Sequence, residues 1–283
     1  MALIVVESGG SKSNWWCQDK YGNRLHFKTV GLHPFENLAD KFLTVKKKLI
    51  TYEVDKTCAI YFYGAGCETR EGKDKIVQMF IDFGFSSVIV KTDLLGACIA
   101  CWQKSKGLTA ILGTGAVAAE YDGHKIVRQA SGLGYVLGDE GSGFDLGKRL
   151  LISYFKNELP PIISDDIEDH FGGKKAVLPT VYQNGGRKKV ADLAPIIKKH
   201  EDHELIVILI HRAFNDFVLT ALSPILPERD VACVGSIAFY FKDQLEKVLA
   251  TEGYKLVKTL PDAHKELFNY HLKNSALDKI GGR

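Results

Sequence analysis

The chain has 283 residues, of which 46% are hydrophobic, so it can bury a large core, and its length favours two domains. The formal net charge is only +3, and no long basic block with interleaved aromatic residues occurs, which argues against a nucleic-acid partner. Neither a signal segment nor an uninterrupted run of about 18 apolar residues is present, so we expect a cytoplasmic protein with no membrane partner.

The predicted elements alternate between buried strands and amphipathic helices, which is typical of an α/β protein. Two short hairpins, within residues 14–30 and 107–127, interrupt this alternation. In chain order the predictions are strand Leu3–Val6, two strands within 14–30, helix Asn37–Leu49, strand Cys58–Tyr63, helix Lys73–Phe83, strand Ser87–Val90, helix Leu94–Lys104, three strands within 107–127 beginning with Thr109–Leu112, helices Asp145–Phe155, Asp192–Lys199 and Glu204–Leu222, strand Asp230–Val234, and helix Phe239–Glu252.

The six cysteines lie in apolar surroundings, as reduced core thiols do. Cys98 and Cys101 have the CxxC spacing of redox and metal sites, but no second CxxC or spaced histidine pair accompanies them. We therefore expect both to lie on a core helix.

The first glycine turn, ESGGSKS at residues 7–13, follows a predicted strand. Gly9 and Gly10 allow the backbone to approach a ligand closely, while Ser11 and Lys12 supply donors suited to phosphate. An ordinary hairpin turn would use the same residue types, and the P-loop pattern GxxxxGK[ST] is absent.

A second glycine turn, LGTGA at residues 112–116, stands at the corresponding point of the second predicted hairpin. The two turns together indicate facing phosphate clamps. A third turn, CVGSIAF at 233–239, joins a strand to a helix whose N-terminal amides suit an anion or a nucleoside edge. Three such turns in series favour a nucleotide cleft over three purely structural turns.

These motifs occur in the order found in the superfamily of sugar kinases, heat-shock chaperones and actin. The chain most resembles the branch that contains N-acetylglucosamine kinases and the activator ATPases of benzoyl-CoA reductase and 2-hydroxyacyl-CoA dehydratase. The residues that carry this resemblance are VVESGGSKS, VGLHPF, YFYGAGC, KTDLLGA, ILGTGA, SGLGYVLGDEGSG and VGSIAF. It implies two ribonuclease-H-like, actin-like ATPase domains with ATP and Mg²⁺ in the cleft between them. Their expected extents are 1–106 and 107–261, with 262–283 a candidate completion of the first.

The resemblance also implies roles for individual residues. Glu7 stands where many relatives have an aspartate that holds Mg²⁺ through water. The residues implied for ATP and its phosphates are Gly9, Gly10, Ser11, Lys12, Gly113, Thr114, Gly115, Gly235 and Ser236. Those implied for the sugar are His33, Asp93, Gly132, Gly134 and Asp139.

Asp93 and the acidic pair Asp139-Glu140 each have a structural alternative. Asp93 lies between a predicted strand and a predicted helix, where aspartate is a favoured N-cap. By resemblance it is instead the catalytic base that accepts the proton of the sugar hydroxyl during phosphoryl transfer. Asp139 and Glu140 precede a predicted helix, and their negative charges could simply interact favourably with the positive N-terminal end of its dipole.

The expected function is ATP-dependent phosphorylation of an amino sugar, N-acetylglucosamine at its 6-hydroxyl foremost. Close relatives have asparagine at His33 and serine at Ala116, so a non-catalytic sugar or nucleotide sensor stays open. An activator ATPase is a further alternative, although neither CETREGK nor the Cys98/Cys101 helix has cluster spacing. The resemblance suggests a homodimer as the assembly.

Overall fold

The computed structural model describes residues 2–10, 12–225 and 229–280, with side chains as far as residue 274. It divides into two compact units, Met1–Ser105 with Asp262–Arg283, and Lys106–Pro261. Each unit contains one five-stranded mixed sheet with helices packed on it, so the predicted α/β class is confirmed.

The elements are numbered here in chain order. They are β1 Leu3–Ser8, β2 Lys12–Gln18, β3 Arg24–Val30, α1 Leu38–Thr51, β4 Ala59–Gly64, α2 Arg70–Asp82, β5 Val88–Thr92, α3 Asp93–Trp102, β6 Gly107–Leu112, β7 Ala116–Tyr121, β8 Ile126–Ser131, α4 Gly143–Phe155, α5 Pro161–Phe171, α6 Lys174–Val181, α7 Gly186–Ala191, α8 Ala194–Lys199, α9 Glu204–Phe217, β9 Asp230–Val234, α10 Ser236–Tyr240, α11 Lys242–Thr251, β10 Lys255–Leu260 and α12 His264–Ile280.

The sheet of unit 1 has the strand order β3-β2-β1-β4-β5. The hairpin strands β2 and β3 are antiparallel to their neighbours, whereas β1, β4 and β5 run parallel. Strand β1 reads as a continuous apolar run because both of its faces are covered, one by the core shared with α1 and α2 and the other by α3 and α12. Ser8, Gly64 and Thr92 are in register, so the loops after them leave the same sheet edge.

The sheet of unit 2 has the order β8-β7-β6-β9-β10, which repeats the strand order and directions of the first sheet. Leu112 and Val234 end the parallel strands β6 and β9 at one edge. The two glycine turns of this unit therefore leave the sheet side by side.

The longest apolar helix is the core helix of unit 2. Residues Glu204–Ile225 are long and apolar enough to cross a membrane by length and composition alone. Ile206, Ile210, Phe214 and Phe217 are buried in the unit 2 core, which accounts for this apolar character.

Several helix boundaries differ from the sequence predictions. The helix expected over 204–222 gives way at Val218 to a π-helical turn, and the one expected over 239–252 is divided at Phe241. The helix expected over 94–104 ends at Trp102, because Gln103 adopts a left-handed φ of 55°. Helices α5 to α7 lie where no element was predicted, and α8 begins two residues later than the helix expected over 192–199.

Candidate active site

The first glycine turn joins β1 to β2 in unit 1. The Gly9 N–H donates to the Lys12 carbonyl oxygen at 3.0 Å, which closes the turn. A Cβ built on Gly31 would lie 2.3 Å from the Gly9 carbonyl oxygen, so the turn rests directly on the backbone after β3. Lys12 is exposed, as a phosphate-binding lysine must be, whereas Ser11 lies outside the described residues.

Two buried serines connect this turn to the segment that carries His33. Ser8 Oγ accepts the Leu32 N–H at 2.9 Å and lies 2.7 Å from Ser13 Oγ. Ser13 Oγ in turn donates to the Val30 carbonyl oxygen at 3.1 Å. Any displacement of the turn is therefore transmitted to the neighbouring loop.

His33 lies against the loop that follows β4. Its Nδ1 accepts the Phe35 N–H at 3.3 Å, which leaves Nε2 as the donor of a neutral ring. A Cβ built on Gly66 would lie only 2.6 Å from Nε2, so the imidazole packs on the Gly66 backbone. The structure thus brings His33 to the sheet edge from which Asp93 also projects.

Asp93 is the first residue of α3, and Thr92 is its N-cap. Thr92 Oγ1 accepts the Leu95 N–H at 3.1 Å. Asp93 Oδ1 accepts the Leu94 N–H at 2.8 Å. The capping alternative for Asp93 is therefore wrong, because the preceding threonine performs that role.

The environment of Asp93 raises the pKa of its carboxyl group toward neutral pH. Burial foremost, with the negative charges of Glu68 and Glu7, raises the pKa of Asp93 to about 7, although the hydrogen bond from the Leu94 N–H opposes this rise. A carboxyl group with a pKa in this range suits general-base catalysis, and perturbed acids of this kind concentrate at functional sites.

Glu7, like Asp93, is an acid of unit 1 with a raised pKa. Burial raises its pKa, while the amide of Asn14, which donates to Glu7 Oε2 at 2.9 Å, opposes the rise. The Asn14 Oδ1 atom is buried without a hydrogen-bond partner. Carboxylate and amide oxygens are ligands that Mg²⁺ accepts, so this donor set fits the implied ion. The described residues contain no cluster of three or more His, Cys, Asp or Glu side chains that could hold a metal alone.

The second glycine turn joins β6 to β7 in unit 2. The Gly113 N–H donates to the Gly115 carbonyl oxygen at 3.0 Å. The N-terminal amides of α4 bind the turn from one side, because Gly143 N–H donates to Gly113 O at 2.8 Å and Phe144 N–H to Thr114 O at 3.3 Å. The turn is thus fixed before any ligand arrives.

The third glycine turn lies next to the second. Gly235 has a φ of 122°, and a Cβ there would lie 2.2 Å from the Leu112 carbonyl oxygen, so glycine alone suits this position. Ser236 follows as the first residue of α10. The residues predicted for the second phosphate motif and for adenosine are therefore neighbours.

Asp139 is buried against the second turn with a left-handed φ of 65°. Its Oδ1 accepts the Ala116 N–H at 3.1 Å, and its Oδ2 lies 3.0 Å from Arg187 Nη2. Gly132 and Gly134 lie in the preceding loop, where a Cβ on Gly132 would contact Val117 at 3.1 Å. Asp139 therefore anchors the turn, and its role toward a sugar stays a prediction.

Sequence reasoning missed Arg187 and Glu68. The signal for Arg187 was the stretch NGGRKK, whose glycines indicate close packing, but its contact with Asp139 spans 48 residues. Glu68 was included only in the motif CETREGK and not recognised as a charge that acts on Asp93.

Comparison with known proteins supports the interpretation of the motifs. No family model matches the chain. The N-acetylmuramic acid/N-acetylglucosamine kinase of Clostridium acetobutylicum is 31% identical over an alignment of 154 residues, and the match covers 51% of this chain and 50% of that protein. The match thus spans about half the length of that curated relative.

Two solved structures extend the comparison to nearly the whole chain. A Porphyromonas gingivalis protein provisionally assigned as an N-acetylglucosamine kinase has a TM-score of 0.81 and 29% identity, covering 96% of this chain and 99% of its own. A ROK family glucokinase from Streptomyces griseus, in complex with glucose and AMPPNP, has a TM-score of 0.52 and 15% identity, covering 92% and 93%.

These likenesses show the fold, because the chain shares the mixed α/β architecture of these solved kinase and kinase-like structures. The likeness to the N-acetylglucosamine kinase branch that the motifs indicated is confirmed.

Proposed function

We propose that the chain is an ATP-dependent kinase that phosphorylates an amino sugar, with N-acetylglucosamine at its 6-hydroxyl as the foremost substrate. The observation that carries this proposal is Asp93, whose half-buried carboxyl group has a pKa of about 7. It stands at the sheet edge shared with the first glycine turn and the His33 loop. A base at this position can accept the hydroxyl proton as the γ-phosphoryl group is transferred.

The other residues of unit 1 would bind and orient the reactants. His33 Nε2 would donate to a sugar hydroxyl. Lys12 and the Gly10 amide would hold phosphate oxygens, while the Gly9 amide closes the turn on the Lys12 carbonyl oxygen. Mg²⁺, when bound, would neutralise charge on the phosphates, and Glu7 would hold it through water with Asn14 beside it.

Unit 2 carries its own candidate residues for ATP and for the sugar. The second and third turns would hold phosphate and adenosine, and the loop before α4 would hold the sugar. The residues in these roles are Gly113, Thr114, Gly115, Gly235 and Ser236 for ATP, and Gly132, Gly134 and Asp139 for the sugar.

Two observations bear on the alternatives. An activator ATPase would need accessible thiolates for its cluster, yet Cys67 is buried and burial raises its thiol pKa to about 12. A sugar sensor would keep the binding residues without turnover. The chain departs from the family motifs at Glu7, His33 and Ala116, which makes a sensor the second candidate function.

A coupled assay with Mg²⁺-ATP tests the proposal. The acceptors are N-acetylglucosamine, N-acetylmuramic acid, glucosamine and glucose, and we expect the highest kcat/KM with N-acetylglucosamine. Phosphorus–proton NMR of the product should place the phosphate on O6. Sugar binding without ADP release from any acceptor would indicate a sensor, and sugar-independent hydrolysis by an iron-containing preparation would indicate an activator. Sedimentation of the same preparation tests the homodimer, which stays a prediction.

A further inference from the structure

Arg187 covers the second glycine turn of unit 2. A Cβ built on Gly115 would lie 3.0 Å from Arg187 Nη2, the same atom that pairs with Asp139 Oδ2 at 3.0 Å. The guanidinium also lies over the Tyr135 ring, 5.2 Å from its centre. A positive charge thus stands directly on a turn whose backbone is already fixed.

Two close backbone contacts set the position of Arg187. A Cβ on Gly186 would lie 2.1 Å from the Val181 carbonyl oxygen, so α7 begins in contact with the end of α6. A Cβ on Gly147 would lie 2.0 Å from the Val190 carbonyl oxygen, so α7 also packs tightly against α4. A side chain larger than hydrogen at either glycine would displace α7, and with it the guanidinium.

The neighbouring lysines do not share this position. Lys188 pairs with Asp192, and Lys189 Nζ donates to the His170 carbonyl oxygen at 3.5 Å. The three consecutive basic side chains therefore point to different partners, and of these three only Arg187 contacts the glycine turn.

The ion pair with Asp139 orients Arg187 without using all its donors. Guanidinium carries five N–H donors in a planar fork, and Asp139 binds at one nitrogen. The Arg187 side chain is 41% exposed, whereas that of Asp139 is 5% exposed, so the carboxylate is enclosed and the cation is accessible. Guanidinium binds phosphate oxygens through paired donors, which makes it the preferred side chain for this purpose.

We propose that Arg187 is an anion-binding residue of the second glycine turn, oriented by Asp139, and that it binds the phosphate chain of a nucleoside triphosphate. This inference rests on the proposed function for the identity of its ligand. Asp139 accordingly serves as a positioning residue for Arg187 as well as for the Ala116 amide.

Calorimetry without sugar tests this role, with inorganic tripolyphosphate and a non-hydrolysable ATP analogue as probes. Arg187→Gln should weaken both probes by about tenfold or more, since a charge-assisted contact is lost. Arg187→Lys keeps a charge for Asp139 but loses the paired donors, and should weaken both by about threefold. Lys188→Gln removes the same charge from the adjacent residue and should leave both affinities within about twofold.

Unchanged probe affinity in both Arg187 variants would overturn the inference. If Arg187→Gln does not fold, the Arg187→Lys result decides alone, and wild-type affinity in that variant would overturn it too. Failure of the proposed function is a separate result. If probe binding depends on Arg187 but the protein phosphorylates no sugar, the kinase proposal is wrong and the anion site at Arg187 stands. Conversely, if Arg187→Gln phosphorylates the sugar with an unaltered KM for ATP, the kinase proposal stands and the phosphate-binding role of Arg187 is wrong.

Discussion

Thr92 and Asp93 divide two tasks that the sequence alone could assign to one residue. The sequence places an aspartate between a strand and a helix, where the local pattern favours an N-cap and the family resemblance favours a catalytic base. The threonine hydroxyl takes the Leu95 N–H, so the carboxylate of Asp93 is not needed for the cap. Asp93 stays half-buried beside Glu68 and Glu7, and this environment destabilises its charged form despite the hydrogen bond from the Leu94 N–H.

Asp93→Asn should therefore reduce turnover and raise stability. Asparagine can still accept the Leu94 N–H but not the sugar proton, so kcat should fall by about 10²–10⁴-fold. The folded-state pKa of about 7 lies above the ordinary 3.8, so Asp93 makes folding less favourable as pH rises through this interval. The variant should melt at a higher temperature than wild type at pH 8, and the gain should vanish at pH 4.

Asp74→Asn is the matched control. Asp74 lies on the surface of α2, 3.6 Å from Arg70, and its side chain is 69% exposed. The same substitution there should leave turnover unchanged. Full turnover in Asp93→Asn would remove Asp93 as the base, and an equal gain in melting temperature at pH 4 and pH 8 would contradict its raised pKa.

At the scale of elements, the hairpin β1–β2 is joined to the segment after β3 by Ser8. Its hydroxyl is the acceptor for the buried Leu32 N–H. Ser8→Ala leaves that donor unpaired, which should cost about 1–3 kcal/mol of unfolding free energy. Because Leu32 precedes His33, the KM for the sugar should rise in the same variant. Urea unfolding and steady-state kinetics measure the two effects.

Ser13→Ala provides the comparison within the same network. It removes the contact with Val30 but leaves the Leu32 N–H bound to Ser8, so the loss of stability should be clearly smaller. Equal losses in the two variants would show that the buried Leu32 amide does not determine the effect.

The elements that sequence patterns predicted well are those with strong burial. The apolar runs of β1, β4, β6 and β9 were all identified because each strand is covered on both faces. Strand β10, KLVKTL, lies at the sheet edge with Lys255 and Val257 exposed and no residue fully buried, so its apolar pattern is weak. Helices α6 to α8 have six to eight residues, too few for a reliable period, and α6 contains Pro179.

At the scale of the whole molecule, the repeated hairpins predicted a repeated architecture, and the two sheets have the same strand order. The described catalytic and phosphate candidates lie near strand ends, and their roles stay predictions. The pairing of Asp139 with Arg187 could not be predicted, since it depends on tertiary packing of α7. The return of α12 to unit 1 was expected only from resemblance, because its contacts join residues from opposite ends of the chain.

Helix α12 binds unit 1 through a buried histidine. His271 Nε2 lies 2.8 Å from the Tyr63 hydroxyl oxygen, and the ring stacks on Tyr61 at 3.9 Å between centroids. Burial lowers the pKa of His271 to about 4, so the folded chain keeps this ring neutral. Trp16 and Phe268 stack beside it at 5.1 Å, which completes an aromatic contact between β2 and α12.

Acid should therefore weaken unit 1 through His271. The folded-state pKa lies below the ordinary 6.5, so the unfolded chain binds the proton first and stability falls as pH decreases from 6.5 toward 4. From pH 7 to pH 5 this one group should remove about 2 kcal/mol of unfolding free energy.

His271→Gln should lose stability at pH 7 through the lost stacking, yet its stability should fall by about 2 kcal/mol less than wild type over that interval. His124→Gln, at an exposed position in unit 2, should retain the wild-type slope. Urea unfolding at both pH values measures the slopes, and hydrogen exchange should show protection lost in β4 and α12 before β6 and β9. A wild-type slope in His271→Gln would exclude His271 as the origin of the acid sensitivity.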